Sequence, residues 1–124
     1  MARILVVDDS STVRKLIINI LSKENYETVE AVDGVDALEK LSQNDIDLVI
    51  ADLNMPRMNG LDLIKTIRQD PLYADIPIVM LTTEGSAEDK KRGFEAGANV
   101  YLVKPAPPSM ILYKIGSLLR GDDE

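Results

Sequence analysis

Four short apolar runs in the chain each end on a polar residue able to do chemistry. Ile4-Leu5-Val6-Val7 runs into Asp8-Asp9, Leu48-Val49-Ile50-Ala51 into Asp52, Ile78-Val79-Met80-Leu81 into Thr82, and Val100-Tyr101-Leu102-Val103 into Lys104. Apolar runs this short and continuous are what a strand buried on both faces requires. Segments of helical periodicity separate them from end to end. That alternation predicts an α/β fold built on a parallel sheet.

The helices are read from spacing. Val13, Leu16, Ile17, Ile20 and Leu21 recur at helical intervals, with Ser10 or Ser11 placed to cap the opening. A more polar strand is predicted over 28–32. Asp33-Gly34 then turns the chain into a helix bearing Val35, Leu38 and Leu41. The third strand is predicted over 47–51, followed by a long loop to Gly60 and a helix with Leu61, Ile64 and Ile67 that stops before Pro71. A fourth strand over 76–81 tolerates Pro77 at its start. The helix expected over 86–96 has a thin apolar face, Ala87 and Phe94, and the fifth strand covers 99–103. The last helix opens at Pro107-Pro108, with Pro108 suited to a first helical position, and runs to Gly121; residues 122–124 are expected to fray.

If the apolar runs are neighbouring parallel strands, their carboxyl ends share one edge. Asp8, Asp9, Asp52, Thr82 and Lys104 then converge on one crevice, where ligands of open α/β sheets bind. Each residue alone has an ordinary explanation as a cap or a solvated charge; their joint placement does not. Carboxylates without His or Cys make a hard-oxygen site that favours Mg²⁺ or Mn²⁺. A hydroxyl and an ammonium facing them could grip phosphoryl oxygens, and a carboxylate can itself be the nucleophile. By strand alternation Tyr101 faces the opposite side from Lys104, half-buried under the neighbouring helix.

Composition narrows the field. The 124 residues suit a single domain, 1–124, and 45% of them are hydrophobic, enough for one core. Cysteine and histidine are both absent, which excludes disulfides, thiol nucleophiles, and a phosphohistidine on this chain. A net charge of −7 disfavours direct nucleic-acid binding. No apolar run approaches the roughly 20 residues of a membrane span. Met1-Ala2-Arg3-Ile4 leads straight into a strand, so no signal peptide is expected and the predicted location is cytoplasmic. No Gly-rich or Walker-type phosphate loop occurs, so a nucleotide is not the expected ligand.

The segment Asp52-Leu53-Asn54-Met55-Pro56-Arg57-Met58-Asn59-Gly60 resembles the phosphoacceptor signature of two-component response regulator receiver domains. Val6-Val7-Asp8-Asp9, Asp33-Gly34, Thr82, Ala96-Gly97-Ala98 and Lys104-Pro105 follow in the family's order and spacing, across essentially the whole chain. The chain is most similar to the stand-alone, CheY-like type. The resemblance implies five parallel strands in the order 2-1-3-4-5 with five flanking helices, and a cis Lys104-Pro105 bond. It implies that Asp52 is phosphorylated. Asp9, Asp52 and the Asn54 backbone carbonyl would bind Mg²⁺, with Asp8 acting largely through water. Lys104 would pair with Asp52 and then with a phosphoryl oxygen; Thr82 would turn toward that group, and Tyr101 would swing inward behind it. The implied donor is the phosphohistidine of a sensor histidine kinase or phosphotransfer protein. The implied output is a downstream protein target, with the chain a monomer or a phosphorylation-dependent dimer, and catalysis limited to its own phosphorylation and dephosphorylation.

Other readings are weaker. A receiver cut from a larger transcriptional or enzymatic regulator would carry the same residues. An aspartyl-phosphate phosphatase needs an acid–base carboxylate just past the nucleophile, and position 54 is Asn. A pseudo-receiver has no need of an acidic set that is complete here. In the last helix, Ile111, Ile115 and Leu118 make the expected inward stripe. Met110, Leu112 and Tyr113 widen it, either as packing or as an apolar output surface shared with Tyr101. Pro107 lacks a side-chain acceptor for capping, and Ala106 stands where many relatives carry an aromatic. Asn54 and Glu84 flank the site as in CheY-like members. Thr83 departs from the small residue usual after the family threonine, and its bulk should narrow access to Asp52. Thr83→Ala is therefore expected to speed phosphorylation by a small-molecule donor, measured as initial rate; an unchanged rate would refute the steric reading.

Overall fold

The computed structural model describes residues 1–121, so the expected fraying of 122–124 lies outside the described residues. Ten elements alternate along the chain: β1 (Arg3–Val7), α1 (Ser11–Ser22), β2 (Glu27–Ala31), α2 (Gly34–Gln43), β3 (Leu48–Ala51), α3 (Gly60–Gln69), β4 (Ile78–Thr82), α4 (Ala87–Ala96), β5 (Val100–Val103) and α5 (Pro108–Leu119). The strands are parallel in the order β2-β1-β3-β4-β5, as the resemblance implies. The order reverses at β1, which opens a crevice at the carboxyl edge beside it.

Strand alternation sorts the core into two layers. Leu5, Val7, Val49, Ala51, Met80 and Tyr101 point toward α2, α3 and α4. Ile4, Val6, Ile50, Val79, Leu81 and Leu102 point toward α1 and α5. Both faces of the sheet are thus dry, which is why the strands are continuous apolar runs.

Several expectations are corrected. β2 ends one residue earlier than expected, because Val32 is exposed and its N–H turns to the Asp36 carboxylate. β3 begins at Leu48 rather than at 47, and the Asp47 carboxylate accepts from the Arg3 N–H below the sheet. β4 begins at Ile78 because Ile76 N–H closes a turn onto the Tyr73 carbonyl; Pro77 therefore precedes the strand. In α2, Val35 is exposed and the inward positions are Gly34, Ala37 and Leu41. In α3, Leu63 is buried and Leu61 only partly so. In α4, Ala87 and Phe94 face outward, and the helix rests on Gly93 and Ala96, residues too small to register as an apolar face.

Each helix start follows its local chemistry. Ser10, Asp33, Asn59 and Ser86 each accept a backbone N–H three residues on. Pro107 offers no such bond, as expected, and α5 opens instead on Pro108. Its buried positions are Ile111, Ile115 and Ser117, with Leu118 partly buried, while Met110 and Tyr113 stand in solvent. Among the described residues, no helix is long and apolar enough to cross a membrane.

Gly60 starts α3 against the carbonyl of Asp52, where a Cβ would collide with that oxygen and with the Met80 side chain. Gly60→Ala is expected to destabilise the fold by about 1–3 kcal/mol through overpacking against backbone. Chemical denaturation checks this, with an unchanged midpoint counting against it.

Candidate functional site

The sheet delivers the site residues by its register. Val7, Ala51 and Met80 lie abreast on β1, β3 and β4, and Thr82 on β4 lies beside Val103 on β5. The ladder continues one step past the strands: Asp8 N–H donates to Ala31 O at 3.1 Å, Asp52 N–H to Val7 O at 3.1 Å, and Lys104 N–H to Thr82 O at 2.7 Å. The residue after each strand is thereby held in the frame of the sheet rather than on a free loop.

Carboxylate oxygens of Asp8, Asp9 and Asp52 lie within 4.8 Å of one another. Asp8 is buried, Asp52 half-buried and Asp9 exposed, so the cluster opens to solvent on the Asp9 side. An all-oxygen carboxylate set of this kind fits a hard divalent cation such as Mg²⁺. Asn54 lies two residues beyond Asp52 on an exposed part of the loop.

Lys104 Nζ sits 2.8 Å from Asp8 Oδ2 and 3.6 Å from Asp52 Oδ2. The ammonium therefore rests on Asp8 first, where Asp52 was the expected partner. The buried carboxylate is the harder one to leave without a counter-charge. The other Asp8 oxygen accepts from Ser10 N–H at 2.9 Å, and Arg14 donates to the Asp8 carbonyl at 2.6 Å. Asp52 Oδ1 accepts from Leu53 N–H at 2.7 Å, which leaves Oδ2 as the oxygen turned to the ammonium.

Thr82 is wholly buried at the crevice wall, and its hydroxyl accepts from Glu84 N–H at 3.3 Å. The carbonyl of the same Glu84 takes the Tyr101 hydroxyl at 2.6 Å. One residue of the β4–α4 loop thus joins the crevice threonine to the tyrosine on the neighbouring strand, which shares its face of the sheet. Tyr101 is 9% exposed, more buried than its sequence position promised. Burial, and then the carboxylates of Asp89, Glu84 and Asp52, push its phenol above its ordinary pKa. Its ring tilts against Phe94, with centroids 6.3 Å apart. Phe94, Met110 and Tyr113 are each about half exposed, and Leu112 is partly buried.

Thr83 is exposed and shares a small apolar groove with Lys104, Pro105, Ala106 and the α1 residues Val13 and Leu16. A separate surface hollow lies at the opposite edge of the sheet, beside Asp47, Leu72 and Pro77, and is lined by none of the crevice residues. The Lys104-Pro105 bond is cis, as expected.

Two features escaped the sequence. Arg57 reaches back to Asp33 across two loops, a pairing at a separation of 24 residues that no local pattern signals. Gly93 faces Tyr101 so closely that a Cβ would lie 2.8 Å from the ring. A mid-helix glycine was the available clue, since it costs a helix about 1 kcal/mol against alanine unless something needs the space.

Residues 4–116 match the response regulator receiver domain family. The chain is 48% identical over 123 residues to the chemotaxis protein CheY1 of Helicobacter pylori, covering 98% of this chain and 99% of that one. It is 44% identical over 119 residues to a chemotaxis protein CheY homolog of Campylobacter jejuni, covering 94% and 92%. The structure of the chemotaxis response regulator CheY4 of Vibrio cholerae superposes with a TM-score of 0.89 at 40% identity, over 95% of this chain and 98% of that one. A putative response regulator from Chloroflexus aurantiacus gives 0.92 at 39% identity, over 96% and 98%.

Gly93→Ala is expected to drive the Tyr101 ring out of its pocket and break its bond to Glu84. The exposure of Tyr101, read by ring proton shifts or by the rate of tyrosine iodination, should rise; a ring that stays buried would show that α4 yields instead.

Proposed function

The chain belongs to the response regulator receiver domain family, and from that premise we propose how its residues carry the switch. The protein is a CheY-type response regulator, a signalling protein controlled by phosphorylation rather than a classical turnover enzyme. The observation that carries the residue assignment is the gathering of Asp8, Asp9 and Asp52 at the sheet edge, with one ammonium set against Asp8 and Asp52.

Asp52 is the phosphoacceptor. Its Oδ2 attacks the phosphorus of a kinase or phosphotransfer phosphohistidine; the P–O bond forms as the P–N bond breaks, and the electron pair returns to the imidazole. Asp9, Asp52 and the Asn54 carbonyl would hold Mg²⁺, with Asp8 acting largely through water. Bound there, the cation would offset charge on the transferring group. Lys104 already stands between Asp8 and Asp52 and needs only a short shift to meet a phosphoryl oxygen. Thr82 offers both a donor and an acceptor, so it can leave the Glu84 N–H for the new oxygen. The phosphoryl group places roughly −1.5 to −2 charges, and three acceptor oxygens, where a singly charged carboxylate stood, which supplies the drive.

The Glu84 residue transmits the change. Releasing its N–H alters the segment whose carbonyl holds Tyr101. Tyr101, with Met110, Leu112 and Tyr113 and the neighbouring Phe94, forms the output surface for a downstream protein. Likeness to chemotaxis receivers over nearly their whole length favours delivery through this domain's own surface over the alternative of a larger regulator. The protein works in the cytoplasm as one receiver, without direct nucleic-acid contact.

Mg²⁺-dependent labelling by a small acyl-phosphate donor tests the assignment. Wild type should label and Asp52→Asn should fall to background; equal labelling of the two would overturn it.

A further inference from the structure

The loop from Asp52 to Asn59 is closed on both sides. At its carboxyl end, Gly60 N–H donates to the Leu53 carbonyl at 2.8 Å and draws the loop's two ends together. At its outer side it is tied to a separate loop, the β2–α2 turn. Arg57 donates to Asp33 through two nitrogens, Nε to Oδ2 at 2.6 Å and Nη2 to Oδ1 at 3.0 Å. Gly34 N–H donates to the Met58 carbonyl at 3.2 Å, and a Cβ on Gly34 would lie 2.7 Å from the Met58 side chain. The two loops touch at backbone distance.

Arg57 holds a left-handed backbone, φ +65°, that a non-glycine residue does not adopt without support. Its supports are a backbone bond that closes across it, Met58 N–H to the Pro56 carbonyl at 2.7 Å, and the two side-chain bonds to Asp33, which alone reach outside the loop from this residue. Asp33 is itself fixed: its side chain is buried and caps α2 by accepting from Asp36 N–H at 2.8 Å. The Arg57 guanidinium, ahead of the Asp36 N–H, holds the Asp33 carboxyl below its ordinary pKa, so the pair stays charged across the neutral range. Arg57 lies three residues past Asn54 and has no contact with the crevice carboxylates among its hydrogen bonds.

We propose that the Arg57–Asp33 pair is a positioning clasp that holds the Asp52–Asn59 loop in the shape that presents the Asn54 carbonyl for a divalent cation. This rests on the cation site proposed above. Without the clasp the loop samples other backbone states, and apparent metal affinity falls by the fraction of time the competent shape is lost. Arg57 and Asp33 act through the loop and touch neither cation nor phosphoryl group.

Two variants separate the clasp from simple electrostatics. Arg57→Asn tolerates a left-handed backbone and removes a positive charge. Asp33→Asn keeps an acceptor for the α2 cap and removes a negative charge. If only long-range charge mattered, the first would tighten Mg²⁺ binding and the second would weaken it. The clasp requires both to weaken it, by roughly tenfold, the low end of what losing a ligand's outer support costs. It also requires faster amide hydrogen exchange over 53–59 without metal, and a double variant no worse than the poorer single one. Mg²⁺ titration by calorimetry, with Asp9→Asn as control, reads the affinities. Opposite shifts, or unchanged affinity in both variants, overturn the clasp while leaving the cation site standing. A wild-type chain that takes up no Mg²⁺, or an Asp9→Asn chain that binds it equally well, overturns the site and the clasp with it.

Discussion

One ammonium between two carboxylates is the contact on which the rest of this molecule turns. Lys104 lies against buried Asp8 and within 3.6 Å of Asp52, while Asp9 completes a trio of carboxylates on the same edge. Unit charges about 4 Å apart interact by about 4 kcal/mol at the effective dielectric of a protein surface. That is comparable to the whole net stability of a small domain, about 5–15 kcal/mol. A cluster of this kind persists only where the fold forces the groups together and supplies a counter-charge. The parallel sheet does the first, by extending its ladder through Asp8, Asp52 and Lys104. Lys104 does the second in part and leaves a net negative site that a cation or a phosphoryl-linked rearrangement can answer.

The same sheet explains how a change at the edge is felt elsewhere. Thr82 and Tyr101 lie on neighbouring strands and on the same face of the sheet, two positions apart in register, and their hydroxyls are bonded to the two ends of one residue. Glu84 is that residue, through its N–H on one side and its carbonyl on the other. Tyr101 fits beneath α4 because Gly93 has no side chain. At its other end α4 is anchored: Arg68 donates to the Gly97 carbonyl and to Asn99 Oδ1. A helix held at its carboxyl end and resting on two small residues has few apolar contacts to break near its amino end, beside the Glu84 segment.

The strands were legible because burial on both faces leaves only apolar residues to choose from. The crevice residues were legible because each follows such a run directly. Thr83 follows the crevice threonine directly, but that it also lines a groove with α1, Lys104 and Pro105 is something no strand pattern indicates. The broad apolar stripe of α5 was ambiguous for a related reason. Spacing alone does not separate a helix packed on one side from one packed on two, and only the fold leaves Met110 and Tyr113 in solvent.

The sequence by itself determined the class of fold, the order of its elements and the residues at the carboxyl edge, since these follow from local periodicity and from what lies next to what along the chain. Tertiary structure alone decided that Lys104 rests on Asp8 before Asp52, that Phe94 faces outward while Gly93 faces Tyr101, and that Arg57 closes on Asp33. Each of these depends on the distance between groups far apart in sequence. Such distances are set by how helices settle on the sheet and how loops meet at its edge, and no local pattern records them.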